Sequence, residues 1–274
     1  MRCAWEELLN LLPMWMRQPV DRQGRDTLQE IRLRRGRPPE LVSRAGSIWL
    51  ERQAEETDLR FVINAASRYS PWASSSVGQG YLTAPGGHRV GVCGEAVVQE
   101  KGITAIREYH SLCLRIARDV PDIARGLALD RSLLILGSPG TGKTTLLRDL
   151  VRTRSNRAPG AVVVVDERGE LFPVGFDCGK RTDVLTLCPK PQGIEMALRT
   201  MGPACIAVDE ITSERDCDAL VQAGWCGIHV LATVHASSRR DLERRQLYRH
   251  VLECGLFEEL VILQKDKSWR TERI

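Results

Sequence analysis

The chain has 274 residues, of which 43% are apolar, 27% charged and 5% aromatic, and its formal net charge at pH 7 is +4. This length accommodates one large domain or two of ordinary size, and the composition is typical of a soluble globular protein. So few aromatic residues argue against a single-strand nucleic-acid binder that works by base stacking, and so small a net charge predicts no strongly anionic partner.

Nine cysteines are scattered singly along the chain. No C-x-x-C or Cys/His spacing points to a zinc site, and an odd number of lone thiols favours the reducing cytosol over a disulfide framework. We expect no signal peptide, because Glu6 and Glu7 interrupt the apolar opening segment and Pro13 breaks it. No apolar run approaches the roughly 20 residues of a membrane-spanning helix.

Residues 1–16 predict a helix, because five apolar side chains recur there at helical spacing: Trp5, Leu8, Leu9, Leu12 and Met16. We expect this helix to pack on its own domain rather than to dock on a membrane or a partner. The next stretch, EIRLRRGRPPEL, alternates Ile31 and Leu33 with arginines. This alternation predicts a half-buried strand that ends at Gly36.

Further along, the pattern predicts a helix over 57–69 and two strands joined by a Pro-Gly-Gly turn over 74–98. Alternating apolar residues continue the strand pattern through 103–120. The first 120 residues therefore indicate a mixed α+β domain, with a boundary at Pro121.

From Ser132 the pattern changes to short continuous apolar runs separated by helical stretches, and we assign residues 121–274 to a second domain. The runs are LLIL (133–136), AVVVV (161–165), CIAV (205–208) and HVLATV (229–234). Continuous apolar strands with helices between them are typical of a parallel sheet covered on both faces. Ligands of such sheets bind at the carboxyl ends of the strands.

The first of these strands leads into the phosphate-loop pattern G-x-x-x-x-G-K-[ST], here GSPGTGKT. In this motif the glycines let backbone N–H groups surround phosphate oxygens at a helix N-terminus, the lysine reaches the β/γ-phosphates and the following hydroxyl binds Mg²⁺. We therefore predict ATP and Mg²⁺ as cofactors, with Lys143 and Thr144 in these two roles. The residues expected around the nucleotide are Gly137, Ser138, Pro139, Gly140, Thr141, Gly142, Lys143, Thr144 and Thr145.

Two other strands end in paired acids. An ATPase needs one carboxylate to hold the metal and another to orient or deprotonate the attacking water. We assign these roles to Asp209 and Glu210 respectively, with Glu167 as a possible second polariser at a neighbouring strand end. The alternative for Asp166 and Glu167 is an acidic turn paired with Arg168.

The stretch VLATVHASS brings a histidine to the end of the last of these strands. In a parallel sheet Thr233 and His235 would emerge beside the terminal phosphate, where a neutral side chain can distinguish ATP from ADP. His229 lies at the other end of the same strand. The alternative is that His235 only satisfies a backbone group at the strand end.

These residues resemble two sets of proteins. The segment 197–238 is similar to the core of type II and type IV secretion and pilus ATPases, whose order of arginine-proline segment, acidic strand, helix and H…TxH box it follows. The corresponding positions are Arg199, Pro203, Asp209, Glu210, His229 and His235. Those ATPases usually carry Gly-Glu where this chain has Asp-Glu, so which glutamate acts as base is open.

The second resemblance spans nearly the whole chain. EIRLRRGRP, GYLTAPGGHRVGVCGEAVV, GKTTLLRDLVR, DERGEL, RTDVL, CPKPQGIEMALRTM and AVDEI together resemble the stage III sporulation protein AA family of endospore-forming bacteria. The fold implied is an α/β P-loop NTPase (RecA/AAA-like) with a parallel-sheet core, preceded by a smaller α+β N-terminal domain. The function implied is a secretion-type ATPase that powers a channel between mother cell and forespore.

The resemblance also implies partners and a location. It implies a homo-hexameric ring, docked on membrane-embedded channel or secretion proteins, in the cytoplasm on the mother-cell side and peripheral to the membrane. An arginine from outside the phosphate loop would complete the site, and Arg89 and Arg115 are the candidates. A solvated strand arginine is the alternative for each.

Two other functions are compatible with a phosphate loop. A small-molecule kinase needs an arginine-rich lid, and no such insertion is found between the strands. A nucleic-acid-associated ATPase would use SSRRDLERRQLYRH (237–250) as its basic element, but Asp241 and Glu243 interleave it and favour a helix with i,i+4 ion pairs. We therefore expect no nucleic-acid partner.

Overall fold

A computed structural model describes residues 3–43, 45–68, 80–99, 102–173, 176–264 and 266–274. Within these residues the chain divides into two compact units. The first comprises the described residues up to Asp119 together with Pro173, and the second comprises those within Val120–Phe172 and Phe176–Ile274. Assignment of Pro173 to the first unit has no counterpart in the two-domain prediction.

The chain begins with two short helices, α1 (Trp5–Asn10) and α2 (Met14–Gln23). The prediction of one helix over residues 1–16 is wrong in this respect. Pro13 has no N–H for a hydrogen bond within a helix and lies in an extended conformation (φ −52°, ψ 145°) just before α2. The apolar side chains nevertheless pack as expected, because Leu8, Leu12 and Met16 are fully buried in the core of the first unit.

The described residues of the first unit form a six-stranded antiparallel sheet in the order β3-β2-β1-β6-β5-β4. Its strands are β1 (Leu28–Arg34), β2 (Glu40–Ser43), β3 (Gly46–Trp49), β4 (Tyr81–Thr83), β5 (Arg89–Gln99) and β6 (Gly102–Arg115). A helix, α3 (Glu56–Ala66), confirms the helical prediction, and Pro85–Gly87 forms the turn before β5. Residues 74–79 of the predicted hairpin lie outside the described residues.

Strand β1 shows how the sequence positions this sheet. Ile31 and Leu33 point into the core and are fully buried, as their alternation predicts. On the opposite face Arg32 pairs with Glu30 and Arg34 pairs with Glu40, each at 2.9 Å. The arginines of this strand therefore form partly exposed ion pairs with neighbouring carboxylates. Each such pair contributes little to the free energy of unfolding.

The described residues of the second unit form a seven-stranded sheet in the order β13-β12-β7-β11-β10-β8-β9. Its strands are β7 (Leu133–Leu136), β8 (Val162–Asp166), β9 (Thr182–Thr186), β10 (Cys205–Val208), β11 (His229–Val234), β12 (Glu259–Leu263) and β13 (Trp269–Arg273). Neighbouring strands are parallel, except that β13 runs antiparallel to β12.

Helices cover both faces of this sheet. They are α4 (Lys143–Arg157), α5 (Lys190–Thr200), α6 (Glu214–Trp225), α7 (Arg239–Arg244) and α8 (Gln246–Glu253). In β7, Leu133 and Ile135 belong to the core that holds α4, whereas Leu134 and Leu136 belong to the core under α5, α6 and α8. All four side chains are fully buried, and each such burial contributes about 1.5–3 kcal/mol. This two-sided packing explains why the strands are continuous apolar runs.

The topology brings four strand ends together. β7, β11, β10 and β8 are consecutive neighbours and run parallel, so their carboxyl ends lie at one edge of the sheet. The phosphate loop, His235, Asp209 and Asp166 follow or end these four strands. Among the described residues, no helix has the length and apolar character needed to cross a membrane.

Candidate nucleotide-binding site

The phosphate loop depends on its glycines. Gly140 and Gly142 have φ values of +77° and +104°, a region that side chains strain to enter. At Gly137 the constraint is space, because a Cβ there would overlap Thr141 Oγ1 and lie 3.2 Å from Lys143 Cγ. The Thr141 hydroxyl donates to the carbonyl of Ser138 at 2.8 Å, which closes the loop on itself.

Lys143 is 7% exposed and starts α4. Its ammonium donates to the carbonyl oxygens of Gly137 at 2.9 Å and Ser138 at 3.2 Å, and lies 3.0 Å from Nδ1 of His235. Burial lowers the pKa of Lys143, and the nearby charge of Asp209 opposes that shift. The lysine is thus held by neutral acceptors at the loop, within reach of an anion that would bind there.

The predicted metal ligands are adjacent. Thr144 Oγ1 donates to Asp209 Oδ2 at 2.8 Å, and the buried Thr233 hydroxyl donates to Asp209 Oδ1 at 2.7 Å. Two neighbouring ligands of an octahedral Mg²⁺ ion, each about 2.1 Å from it, lie about 3 Å apart. The separation and the oxygen chemistry of Thr144 and Asp209 therefore fit Mg²⁺, which binds proteins through few side-chain oxygens and keeps water and phosphate as its other ligands.

Glu210 is held in an unusual backbone conformation, with φ at +42°. Its N–H donates to Thr233 Oγ1 at 2.9 Å, so the same hydroxyl fixes both acids of the pair. Its carboxylate lies 3.2 Å from Nε2 of His235 and 3.7 Å from Arg168. The alternative of an acidic turn paired with Arg168 is therefore wrong about this arginine. Among the described residues, Arg168 forms its ion pair with Glu210 rather than with Asp166 or Glu167.

The carboxylate of Asp166 is buried and binds backbone N–H groups. It is 3% exposed, and its carboxylate accepts the backbone N–H groups of Glu170 at 3.0 Å, Leu171 at 2.8 Å and Phe172 at 3.4 Å. Burial raises the pKa of Asp166, although these three hydrogen bonds oppose the rise. The residue shapes the turn of DERGEL, which supports the acidic-turn alternative for this one position.

Glu167 lies at the same edge of the sheet and pairs with a residue that the sequence did not reveal. Lys190 Nζ is 2.5 Å from Glu167 Oε2 and 3.6 Å from Asp216 Oδ2, and the lysine is only 4% exposed. Glu167 and Lys190 border a narrow cleft, whose lining residues are Asp166, Glu167, Arg168, Glu170, Lys190, Asp209 and Glu210.

Other residues singled out in the sequence lie away from this cleft. At the amino end of β11, His229 Nδ1 is 2.6 Å from Arg154, beside a separate cavity of about 280 Å³. Arg199 pairs with Glu195 on an exposed face of α5. The second unit thus brings Lys143, Thr144, Asp209, Glu210 and His235 together. Glu167 lines the same cleft as Asp209 and Glu210.

The two candidate arginines belong to the first unit and have partners within it. The guanidinium of Arg89 lies 4.2 Å from the ring centroid of Tyr81. Arg115 is 67% exposed and pairs with Glu30 at 3.2 Å. The exposed ion pair of Arg115 is of the kind that contributes little stability.

Known proteins match this chain over most of its length. The family described as Sporulation stage III, protein AA matches residues 4–272. The chain belongs to this family. A member from Bacillus subtilis (strain 168), Stage III sporulation protein AA, is 35% identical over 257 residues, which are 88% of this chain and 84% of that protein.

Solved structures show the fold of this stage III sporulation protein AA family member. The ATPase DotB of Legionella pneumophila matches with a TM-score of 0.64 and 17% identity over 96% of this chain and 80% of that chain. The pilus retraction motor PilT with bound ADP matches with a TM-score of 0.63 and 16% identity over 96% and 78%. The α/β P-loop fold of secretion ATPases, with a preceding α+β domain, is therefore confirmed.

Proposed function

We propose that this protein is an ATP-hydrolysing motor or assembly ATPase of the secretion type. The observation that carries the proposal is the 2.8 Å contact between Thr144 Oγ1 and Asp209 Oδ2 beside the ammonium of Lys143. A phosphate-loop lysine, two hard oxygen ligands and a further carboxylate at one edge of a sheet are what hydrolysis of a nucleoside triphosphate requires.

Each residue has a distinct role in this proposal. Lys143 and the loop N–H groups bind the phosphates, and Thr144 and Asp209 would hold Mg²⁺. When bound there, the ion would neutralise charge on the phosphate oxygens. Glu210 orients the attacking water and takes its proton, and His235 connects that carboxylate to Lys143. Asp209 serves the metal rather than the water, because its Oδ2 lies 2.8 Å from Thr144 Oγ1, the other proposed ligand.

Glu167 acts as a second polariser of the water in this proposal. The assignment follows from its position at the end of β8, next to the strand that leads to Glu210. The chain therefore has two glutamates for one water, and variants of each separate their contributions.

The decisive experiment is phosphate release from ATP and Mg²⁺ with no added acceptor. The wild type should release phosphate, and Lys143→Ala should lose at least about tenfold in ATP affinity while it remains folded. Glu210→Gln should bind ATP but hydrolyse it about a hundredfold to ten-thousandfold more slowly. Glu214→Gln removes an exposed carboxylate of the same unit and serves as control. A wild type that releases no phosphate contradicts the proposal, and normal turnover in Glu210→Gln transfers the base role to Glu167.

The family resemblance supports a homo-hexameric ring in the cytoplasm, docked on membrane-embedded channel or secretion proteins at the mother-cell side of the forespore. In such a ring Arg89 or Arg115 of one subunit completes the site of the next. Light scattering should show nucleotide-dependent assembly, and Arg89→Ala or Arg115→Ala should lower hydrolysis without lowering ATP affinity. If the protein is fully active while it stays monomeric at all concentrations, no arginine of a second subunit completes the site.

The basic segment gives a nucleic-acid function little support. Arg239 pairs with Glu243 at 3.0 Å in α7, and Arg245, just beyond that helix, pairs with Asp241 at 3.3 Å. Both are the i,i+4 pairs that the sequence predicts, so these guanidinium groups already have carboxylate partners. Binding to DNA or RNA with a steep dependence on salt would contradict this interpretation.

A further inference from the structure

Lys190 is a buried cation that the proposed mechanism does not use. It is the first residue of α5, it is 4% exposed, and its ammonium lies between two carboxylates from different elements. One is Glu167, 2.5 Å away in the turn after β8, and the other is Asp216, 3.6 Å away in the first turn of α6. The ammonium thus connects three elements that surround the candidate site.

The Asp216 side of this contact leads back to Glu210. Asp216 Oδ2 accepts the N–H of Thr212 at 2.9 Å, the hydroxyl of Thr212 at 3.1 Å and the N–H of Ser213 at 3.1 Å. Thr212 follows Glu210 by two residues, so Asp216 fixes the segment that carries the proposed base. Lys190 therefore joins the segments of the two candidate glutamates.

The cleft is rich in acidic side chains, and Lys190 is a buried cation among them. Five of the seven side chains that line the cleft are carboxylic acids, and the two cations are Arg168 and Lys190. Arg168 has a side chain that is 50% exposed and lies 3.7 Å from Glu210, whereas Lys190 is buried and in close contact with Glu167. A buried ammonium holds a carboxylate at a defined position more firmly than a solvated one, because water competes less for the pair.

We propose that Lys190 is a positioning residue, which holds Glu167 at the separation from Glu210 that the attacking water needs. The inference rests on the proposed ATPase function and assigns no contact between Lys190 and the nucleotide. Neither carboxylate depends on Lys190 for polar contacts. The side chain of Glu167 is 41% exposed to water, and Asp216 accepts three other hydrogen bonds. What its removal changes is the position of Glu167.

The test compares Lys190→Met, Glu167→Gln and the double variant in the full chain. Lys190→Met should lower kcat about tenfold to a hundredfold, since small displacements of a catalytic group have effects of this size. KM for ATP and the Kd of a fluorescent ATP analogue should stay within about twofold of wild type, because the phosphate loop is unchanged. Lys180→Met, which removes an exposed lysine of the same unit, should leave all three constants unchanged.

The double variant separates a positioning role from a structural one. If Lys190 acts through Glu167, the kcat of the double variant equals that of Glu167→Gln alone; if the two losses multiply, the proposal is overturned. An unaltered kcat in Lys190→Met also overturns it. Should Lys190→Met fail to fold, Glu167→Gln remains decisive, because an unaltered kcat there leaves Lys190 nothing to position. A wild type without phosphate release refutes the ATPase function itself, which distinguishes that failure from this one.

Discussion

The ammonium of Lys143 lies 3.0 Å from one ring nitrogen of His235, and the other ring nitrogen lies 3.2 Å from the carboxylate of Glu210. A protonated lysine donates a hydrogen bond, so Nδ1 of His235 is the acceptor. The ring proton is then on Nε2, which donates a hydrogen bond to the carboxylate of Glu210. A hydrogen-bonded chain thus connects the phosphate loop to the proposed base. A bound phosphate that attracts the ammonium would break its hydrogen bond to Nδ1. The imidazole could then move, and the carboxylate of Glu210, which is in contact with Nε2, could move with it.

We predict that His235→Ala uncouples binding from hydrolysis. Lys143 keeps its two carbonyl acceptors in this variant, so ATP affinity should change by no more than about threefold, whereas kcat should fall about tenfold to a hundredfold. Fluorescence titration and phosphate release measure the two quantities. His229→Ala is the matched control at the opposite end of β11. If both histidine variants have the same kcat, the connecting role of His235 is wrong.

Thr233→Val tests the hydroxyl that fixes both acids. Thr233 is fully buried, donates to Asp209 and accepts the N–H of Glu210. Valine has the same shape but removes both hydrogen bonds of the hydroxyl, so that Asp209 Oδ1 and the Glu210 N–H keep only their mutual contact at 3.1 Å. The loss of two hydrogen bonds costs about 1–3 kcal/mol in free energy of unfolding. Hydrolysis should also fall by about tenfold, because a metal ligand that loses its hydrogen-bond partner is less well oriented.

Urea denaturation and phosphate release check this prediction, with Thr233→Ser as the variant that retains the hydroxyl. The serine protein should keep most of the hydrolysis and lose only the stability of a buried methyl group. Equal hydrolysis by the valine and serine variants would show that the hydroxyl does not position the acids.

Gly137→Ala tests the space inside the phosphate loop. The new methyl group would overlap Thr141 Oγ1 and lie 3.3 Å from Leu263 Cβ, so the loop must move to accommodate it. ATP affinity should fall by about tenfold or more, because the loop N–H groups lose their arrangement around the phosphates. Gly91→Ala, whose nearest atom would be 3.7 Å away, should leave affinity unchanged. Isothermal titration with both variants measures the difference, and equal affinities would contradict it.

The sequence predicts the strand ends of the second unit well because their signals are local. β7, β10 and β11 coincide with their apolar runs, and a motif of eight residues identifies the phosphate loop. β9 escapes prediction because TDVLT is a polar edge strand with little apolar pattern. The edge strand β13 is likewise mostly exposed and polar.

Contacts between distant residues could not be predicted in the same way. Lys190 follows Glu167 by 23 positions and resembles any lysine at the start of a helix, so only the packing of three elements reveals it. The alternative partner of Arg168 illustrates the same limit, since sequence proximity favours Asp166 and the fold provides Glu210. Ion pairs in the site depend on tertiary structure rather than on spacing.

His88 of the first unit lies in the segment GGHRVG, whose local pattern does not indicate that this histidine is buried. It is fully buried, its Nδ1 accepts the N–H of Ala117 at 3.2 Å, and its Nε2 lies 2.9 Å from the carbonyl of Ala4. These contacts are both satisfied by a neutral ring that carries its proton on Nε2. Burial lowers the pKa of His88, because a charged ring would lose its hydration, and the hydrogen bond to Ala4 and the charge of Glu7 oppose this shift without cancelling it.

This shift predicts an acid-sensitive first unit. Between the ordinary pKa of 6.5 and the lower folded value, the unfolded chain binds a proton at His88 that the folded chain does not. The free energy of unfolding therefore falls as the pH drops through this window, by up to about 1.4 kcal/mol per pH unit, and stays reduced below it. His88→Gln keeps a donor and an acceptor but does not titrate, so urea unfolding from about pH 7 to about pH 5 should show a smaller slope than wild type. His110→Gln, which removes an exposed histidine of the same unit, is the control, and equal slopes for wild type and His88→Gln would refute the prediction.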